Sequence, residues 1–112
     1  MSDLKTATTA LVKFRDERNW QQFHNTKDLA LALSIEAAEL NELFLWKTRE
    51  EAEEVDREKL KEELADIFAY ALLLAEKHKL NVPEIVLEKV VKNGVKYPVE
   101  KSKGNAKKYD EL

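Results

Sequence analysis

Two segments place a pair of acids in the middle of an otherwise apolar helical face. From Asp28 to Lys47 the chain reads DLALALSIEAAELNELFLWK. Leu29, Ala32, Leu33, Leu40 and Leu43 recur at helical spacing and mark the buried side. At about 100° per residue, Glu36 falls within that stripe and Glu39 lies about 60° to one side. From Arg57 to His78 the chain reads REKLKEELADIFAYALLLAEKH. There Leu60, Ile67, Tyr70 and Leu74 define a face, with Glu63 central and Asp66 one turn on. A core-facing carboxylate is costly unless it is paired or binds a cation. If the two helices pack together, four acids converge, repel, and raise one another's pKa. A divalent cation is the simplest neutraliser, and an all-oxygen ligand set points to Mg2+, with Mn2+ as a substitute.

The rest of the chain fits a small helical domain. Its 112 residues suffice for one domain with a limited core. Two Gly and two Pro are too few for the turns of an extended sheet. The expected fold is all-α: a bundle of four to five helices whose leftover apolar faces are buried against a second copy. A net charge of −3 argues against a general binder of polymeric nucleic acid. With no Cys, disulfides, Fe–S clusters and thiolate zinc sites are out. No leader signal and no apolar run of spanning length is evident, so no membrane association is expected and the default location is cytoplasmic.

In chain order, residues 4–18 read as a first helix capped by Asp3 or Ser2. Leu4, Leu11, Phe14 and Arg18 share a face, with Ala7 beside them. NWQQFHNTKD follows as an aromatic loop or short turn carrying Trp20, Phe23 and His24. Asn25 or Thr26 caps the second helix. Residues 48–58 form a charged connection, helical in part, that permits a helix hairpin, and Asp56 caps the third helix. Pro83 opens a fourth, read over residues 84–95, and Pro98 closes it. The domain is expected over residues 1–100, with a polar tail at 101–112 that is loose or orders on oligomerisation or substrate binding.

Spacing of three residues puts each acidic pair on adjacent turns of one face. Two facing helices would then hold Mg2+ on rigid elements, with the remaining ligands coming from substrate phosphates. Attack of water on a phosphoryl group follows, with one acid orienting or deprotonating it. The plainer alternatives are a buried salt-bridge network using Lys27, Lys59, Lys77 or Lys89, and a shifted helical phase. Di-iron chemistry needs ExxH pairs, and neither Glu36 nor Glu63 has a His three residues on. HExxH and P-loop motifs are also absent.

These residues resemble the MazG-like all-α nucleoside triphosphate pyrophosphohydrolases, which carry ExxE, a spacer and ExxD. Here Glu36-Ala-Ala-Glu39 is followed by twenty-three residues and then Glu63-Leu-Ala-Asp66. FRDERNWQQFHNTKDLALALSIEAAEL, FLWK (Phe44 to Lys47) and KVVKNGVKYP (Lys89 to Pro98) are similar to the small single-domain branch that includes the dCTP pyrophosphatases. The resemblance covers about residues 11–98. It implies a homodimer or homotetramer and Mg2+-dependent cleavage between the α and β phosphates. Products would be the deoxynucleoside monophosphate and pyrophosphate. Glu36, Glu39, Glu63 and Asp66 would be metal ligands, with Glu36 or Glu39 also serving the attacking water.

It further implies phosphate contacts from Asn93, Lys96 and Tyr97, with Lys89 on the same helix. His24, Trp46 and Tyr70 match positions around the base and sugar, and Trp20 is a further aromatic candidate. A hydroxyl at Tyr70 would leave little room for a 2′-OH and favour deoxynucleotides. The resemblance favours dCTP as substrate, and dATP and modified pyrimidines stay open because an indole stacks on any base. Arg15 and Arg18 read as surface residues or as holding the phosphates or the loop. Competing functions are a non-catalytic nucleotide-binding or partner-binding helical oligomer and hydrolysis of a neighbouring pyrophosphate substrate, as in the phosphoribosyl-ATP pyrophosphohydrolases.

Overall fold

The structure, a computed structural model, describes residues 3–112. All its regular elements are helices, with no strand among the described residues. None is long and apolar enough to cross a membrane. The chain divides into two units, one ending at Lys79 and the other spanning Leu80–Leu112.

In the first unit α1 spans Leu4–Glu17. The Asp3 carboxylate accepts from the Thr6 N–H at 2.9 Å and caps it. Ser2, the alternative cap, lies outside the described residues. A 3-10 turn, Trp20–Phe23, follows through Asn19 at φ 58°, a left-handed conformation that Asn tolerates. α2 spans Thr26–Glu42. The Asn25 side chain accepts from the Asp28 N–H and donates to the Asp28 carboxylate, both at 2.8 Å.

α2 stops short of Lys47, where the apolar spacing predicts it would continue. The N–H groups of Leu43, Phe44 and Leu45 turn to carbonyls three residues back, which tightens the chain out of the α-helix. Trp46 then takes φ 64°. A short α3, Arg49–Ala52, begins on a capping box in which the Thr48 hydroxyl accepts from the Glu51 N–H and Glu51 accepts from the Thr48 N–H. α4 spans Arg57–Lys77, with Asp56 accepting from the N–H groups of Glu58 and Lys59.

α2 packs along α4, and α1 packs against α4. The first pair is antiparallel: Thr26 Oγ1, at the start of α2, is 2.8 Å from His78 Nε2, just past the end of α4. The buried apolar residues are Leu29, Leu72, Leu73 and Ala75. Leu29 belongs to the predicted stripe of α2, whereas the deepest residues of α4 lie off the predicted face. Leu60, Ile67, Tyr70 and Leu74 are only half-buried. α1 accounts for the difference, because it covers the last turns of α4 from a second side.

The predicted face of α1 is also shifted. Leu4 and Phe14 are exposed, and the residues turned inward are Leu11, Val12 and Arg15. Arg15 is 8% exposed. Its Nε donates to Asp16 at 2.9 Å and its Nη1 lies 3.7 Å from Glu76 on α4. Arg18 instead lays its guanidinium 3.6 Å over the Phe14 ring, and Trp20 meets the same ring edge-on.

In the second unit α5 spans Val82–Lys96, with Asn81 accepting from the Glu84 N–H and Pro83 in the first turn. It runs through Gly94 and ends at Tyr97. The predicted loose tail is folded: α6 spans Val99–Ser102, Gly104 reverses the chain at φ 80°, and Tyr109–Glu111 form a 3-10 turn.

Leu73→Ala should lower unfolding stability by about 2–5 kcal/mol, the range for an aliphatic core truncation. A denaturant midpoint shift at unchanged slope checks it.

Candidate metal centre

Glu36 and Glu39 project from the second half of α2 and Glu63 from the first half of α4. Each offers one carboxylate oxygen, and the three oxygens lie within 4.8 Å of one another. Asp66 is exposed and stands outside the converging three, although its charge bears on Glu36, Glu63 and Tyr70.

Among the described residues, no Lys, Arg or His forms a salt bridge with this cluster. The salt bridges among the described residues join Arg15 to Asp16 and Glu76, Lys27 to Asp28, Lys61 to Glu58 and Lys79 to Glu76. None reaches Glu36, Glu39, Glu63 or Asp66, so the salt-bridge alternative built on Lys27, Lys59, Lys77 or Lys89 does not hold. Glu36 Oε2 and Glu63 Oε2 are both shielded from water and have no hydrogen-bond partner. Such orphaned acceptors are expensive to leave bare.

Ionised carboxylates only accept, so Glu36 and Glu39 can bond each other only if a proton sits between them. That shared hydrogen bond is the main reason the Glu36 pKa rises to about 7, followed by desolvation and the charges of Glu39, Asp66 and Glu63. Desolvation, then the charge of Glu39, also pushes Glu63 upward. Three convergent carboxylates, two of which carry an oxygen with no hydrogen-bond partner, fit a divalent cation.

The other residues singled out in the sequence fall in three places. Tyr70 lies one turn beyond Asp66 on α4 and is half-buried. Desolvation and then Glu36 raise its phenol pKa. His24 follows the 3-10 turn; its Nδ1 is buried and unpartnered, and desolvation with the Arg15 charge lowers its pKa. Trp46 is 92% exposed on the left-handed turn after α2, whereas Trp20 leans on Phe14. Asn93, Lys96, Tyr97 and Lys89 belong to the second unit, on α5 and its cap. Arg15 is a buried link between α1 and α4 rather than a surface residue, which helical spacing does not reveal. Nor does it reveal Tyr109, which the fold brings to Lys96 and Tyr97.

The profile of the MazG-like family matches residues 31–112. Dctp pyrophosphatase 1 of Bos taurus is 43% identical over 105 residues, covering 89% of this chain and 62% of that protein. The Homo sapiens protein of the same name is 39% identical over the same coverage. The chain thus spans about three fifths of the length of the curated relatives it matches. A crystal structure of a pyrophosphatase from Archaeoglobus fulgidus superposes with a TM-score of 0.82 at 37% identity, covering 88% of this chain and 94% of that one.

The electrostatics fix a pH dependence for the metal-free protein. Because the folded state holds the Glu36 proton more tightly than the unfolded chain, its contribution is complete below the ordinary value of 4.5 and is lost as pH rises through about 7. Melting temperature should therefore fall across that window. Adding a divalent cation should restore it at the upper end, and Glu36→Gln should flatten the fall. Thermal melts with and without chelator check both.

Proposed function

The chain belongs to the MazG-like family, and from that premise we propose that it is a Mg2+-dependent nucleoside triphosphate pyrophosphohydrolase. It cleaves deoxynucleoside triphosphates between the α and β phosphates to the monophosphate and pyrophosphate, with dCTP preferred and dATP a further substrate. The convergence of Glu36, Glu39 and Glu63 carries this assignment. The names of the relatives support the substrate class, and the structural neighbour, named a pyrophosphatase, supports hydrolysis at a pyrophosphate bond.

Glu36, Glu39, Glu63 and Asp66 would hold the cation. Bound there, Mg2+ supplies charge neutralisation for the polyphosphate and polarises the phosphoryl group. Water attacks the α phosphorus; the new P–O bond forms as the bond to the β-phosphate bridging oxygen breaks, and pyrophosphate leaves. The proton of the attacking water goes to a carboxylate oxygen of Glu36 or Glu39. Glu36 Oε2, which has no hydrogen-bond partner within the chain, is the better-placed acceptor.

Asn93, Lys96, Tyr97 and Lys89 are proposed to contact the phosphates, by amide and phenol donors and by ammonium charge. Trp46 is proposed to stack on the base. An indole 92% exposed on a left-handed turn is a costly arrangement that packing within the chain does not explain. His24 and Trp20 are assigned to the same base pocket and Tyr70 to the sugar, where its ring disfavours a 2′-OH.

Leu31, Ile35, Phe68, Leu87 and Val91 are apolar and more than half exposed. Large apolar side chains left in water on both units support association, and we assign the protein to a homodimer or homotetramer acting on a small molecule in the cytoplasm. All the proposed site residues fall within residues 1–100.

Incubation with Mg2+ and each dNTP should yield the monophosphate and pyrophosphate, fastest for dCTP. Diphosphate with orthophosphate as products would overturn the cleavage position, and nucleotide binding without turnover would make the chain a non-catalytic module. Glu39→Gln should lower kcat by about 10²-fold or more, the scale for removing one electrostatic stabiliser from such a site. Its circular dichroism should stay that of the parent.

A further inference from the structure

The second unit ends in a segment that folds back on its own helix. α5 closes with Lys96 and is capped by Tyr97. Gly104, at φ 80°, turns the chain, and the Asn105 side chain ties the turn by donating to the Lys101 carbonyl at 3.0 Å and accepting from the Lys107 N–H at 3.0 Å. The 3-10 turn Tyr109–Glu111 then sets the Tyr109 ring 5.0 Å from Lys96 Nζ. The same ring meets Tyr97 edge-on, with centroids 6.2 Å apart and planes at 82°.

One aromatic residue from a polar tail thus touches two consecutive residues of the proposed phosphate-binding set. The composition around it is one-sided. Between Lys89 and Lys108 there are seven lysines and a single acid, Glu100, in a chain whose net charge is −3. A lysine ammonium is a point charge on a four-carbon stem with many rotamers. Facing a polyphosphate, it contributes most if it is already held in place. An aromatic face does this without neutralising the charge, since the quadrupole attracts the cation and leaves its donors free for oxygen.

We propose that Tyr109 is a positioning residue: by docking on Lys96 and Tyr97 it holds the Lys96 ammonium for the polyphosphate of the nucleotide substrate. The inference rests on the proposed phosphate role of Lys96 and extends it to the C-terminal segment. Tyr109 touches no substrate in this scheme and acts through Lys96.

Tyr109 is 52% exposed, so its truncation leaves the fold standing. In the full chain with Mg2+ and dCTP, Tyr109→Leu should raise KM about two- to five-fold, the equivalent of an exposed cation–π contact, with kcat unchanged. Tyr109→Phe keeps the ring and should retain the parent KM. In a Lys96→Met background, Tyr109→Leu should add nothing further. Without any turnover, the ε-methylene NMR resonance of Lys96 should carry an upfield ring-current shift in the parent and in Tyr109→Phe, and lose it in Tyr109→Leu.

A Tyr109→Leu effect of equal size with and without Lys96, or a Lys96 resonance that does not respond, overturns the inference. If Lys96→Met raises KM while Tyr109→Leu does not, the inference fails and the phosphate role of Lys96 stands. If Lys96→Met leaves KM unmoved, the phosphate role falls and the inference falls with it.

Discussion

Carboxylates that meet across a helix pair cannot all stay ionised unless something positive sits among them. Glu36, Glu39 and Glu63 meet in this way, with oxygens within 4.8 Å and no Lys or Arg in salt-bridge reach among the described residues. Either a proton or a cation must settle the charge, and the high proton affinity of Glu36 is the first of these answers. The second answer is proposed to be the working one. Much of the first unit serves to hold the acids in this uncomfortable arrangement. The Asn25 and Asp56 caps fix where α2 and α4 begin, and the Thr26–His78 contact ties the far ends of the pair. α1 braces α4 through Arg15 and Glu76.

The helices and the acidic pairs were legible because both depend on local periodicity. Caps such as Asp3, Asn25, Asp56 and Asn81 are side chains bonding backbone a few residues away, so they too can be read from sequence. What could not be read is which residues a third element covers. Arg15 is buried because α1 lies on the last turns of α4, and one helix's pattern carries no record of its neighbour. The same holds for Leu72, Leu73 and Ala75. The apolar run carries the predicted α2 five residues too far, because Leu43, Phe44 and Leu45 continue it while their backbone has already left the helix. The tail looked loose because it is polar, yet Gly104, Asn105 and Tyr109 give it turns and an anchor.

The two units differ in chemical character. The first presents unneutralised carboxylates, and the second carries the run of lysines from Lys89 to Lys108. The small apolar core, confined to Leu29, Leu72, Leu73 and Ala75, fits the proposed association, since Phe68 and Leu87 remain in water in the single chain.

The antiparallel register of α2 and α4 also bears on which length changes the gene can absorb. Inside either helix, losing one residue would swing every side chain beyond it by about 100° and carry a carboxyl pair off the shared face. The stretch from 43 to 56, mostly exposed and broken by a short turn of helix, has no such bookkeeping to keep. Insertions and deletions among natural variants should therefore gather between the two acidic pairs while leaving the three-residue step within each pair untouched.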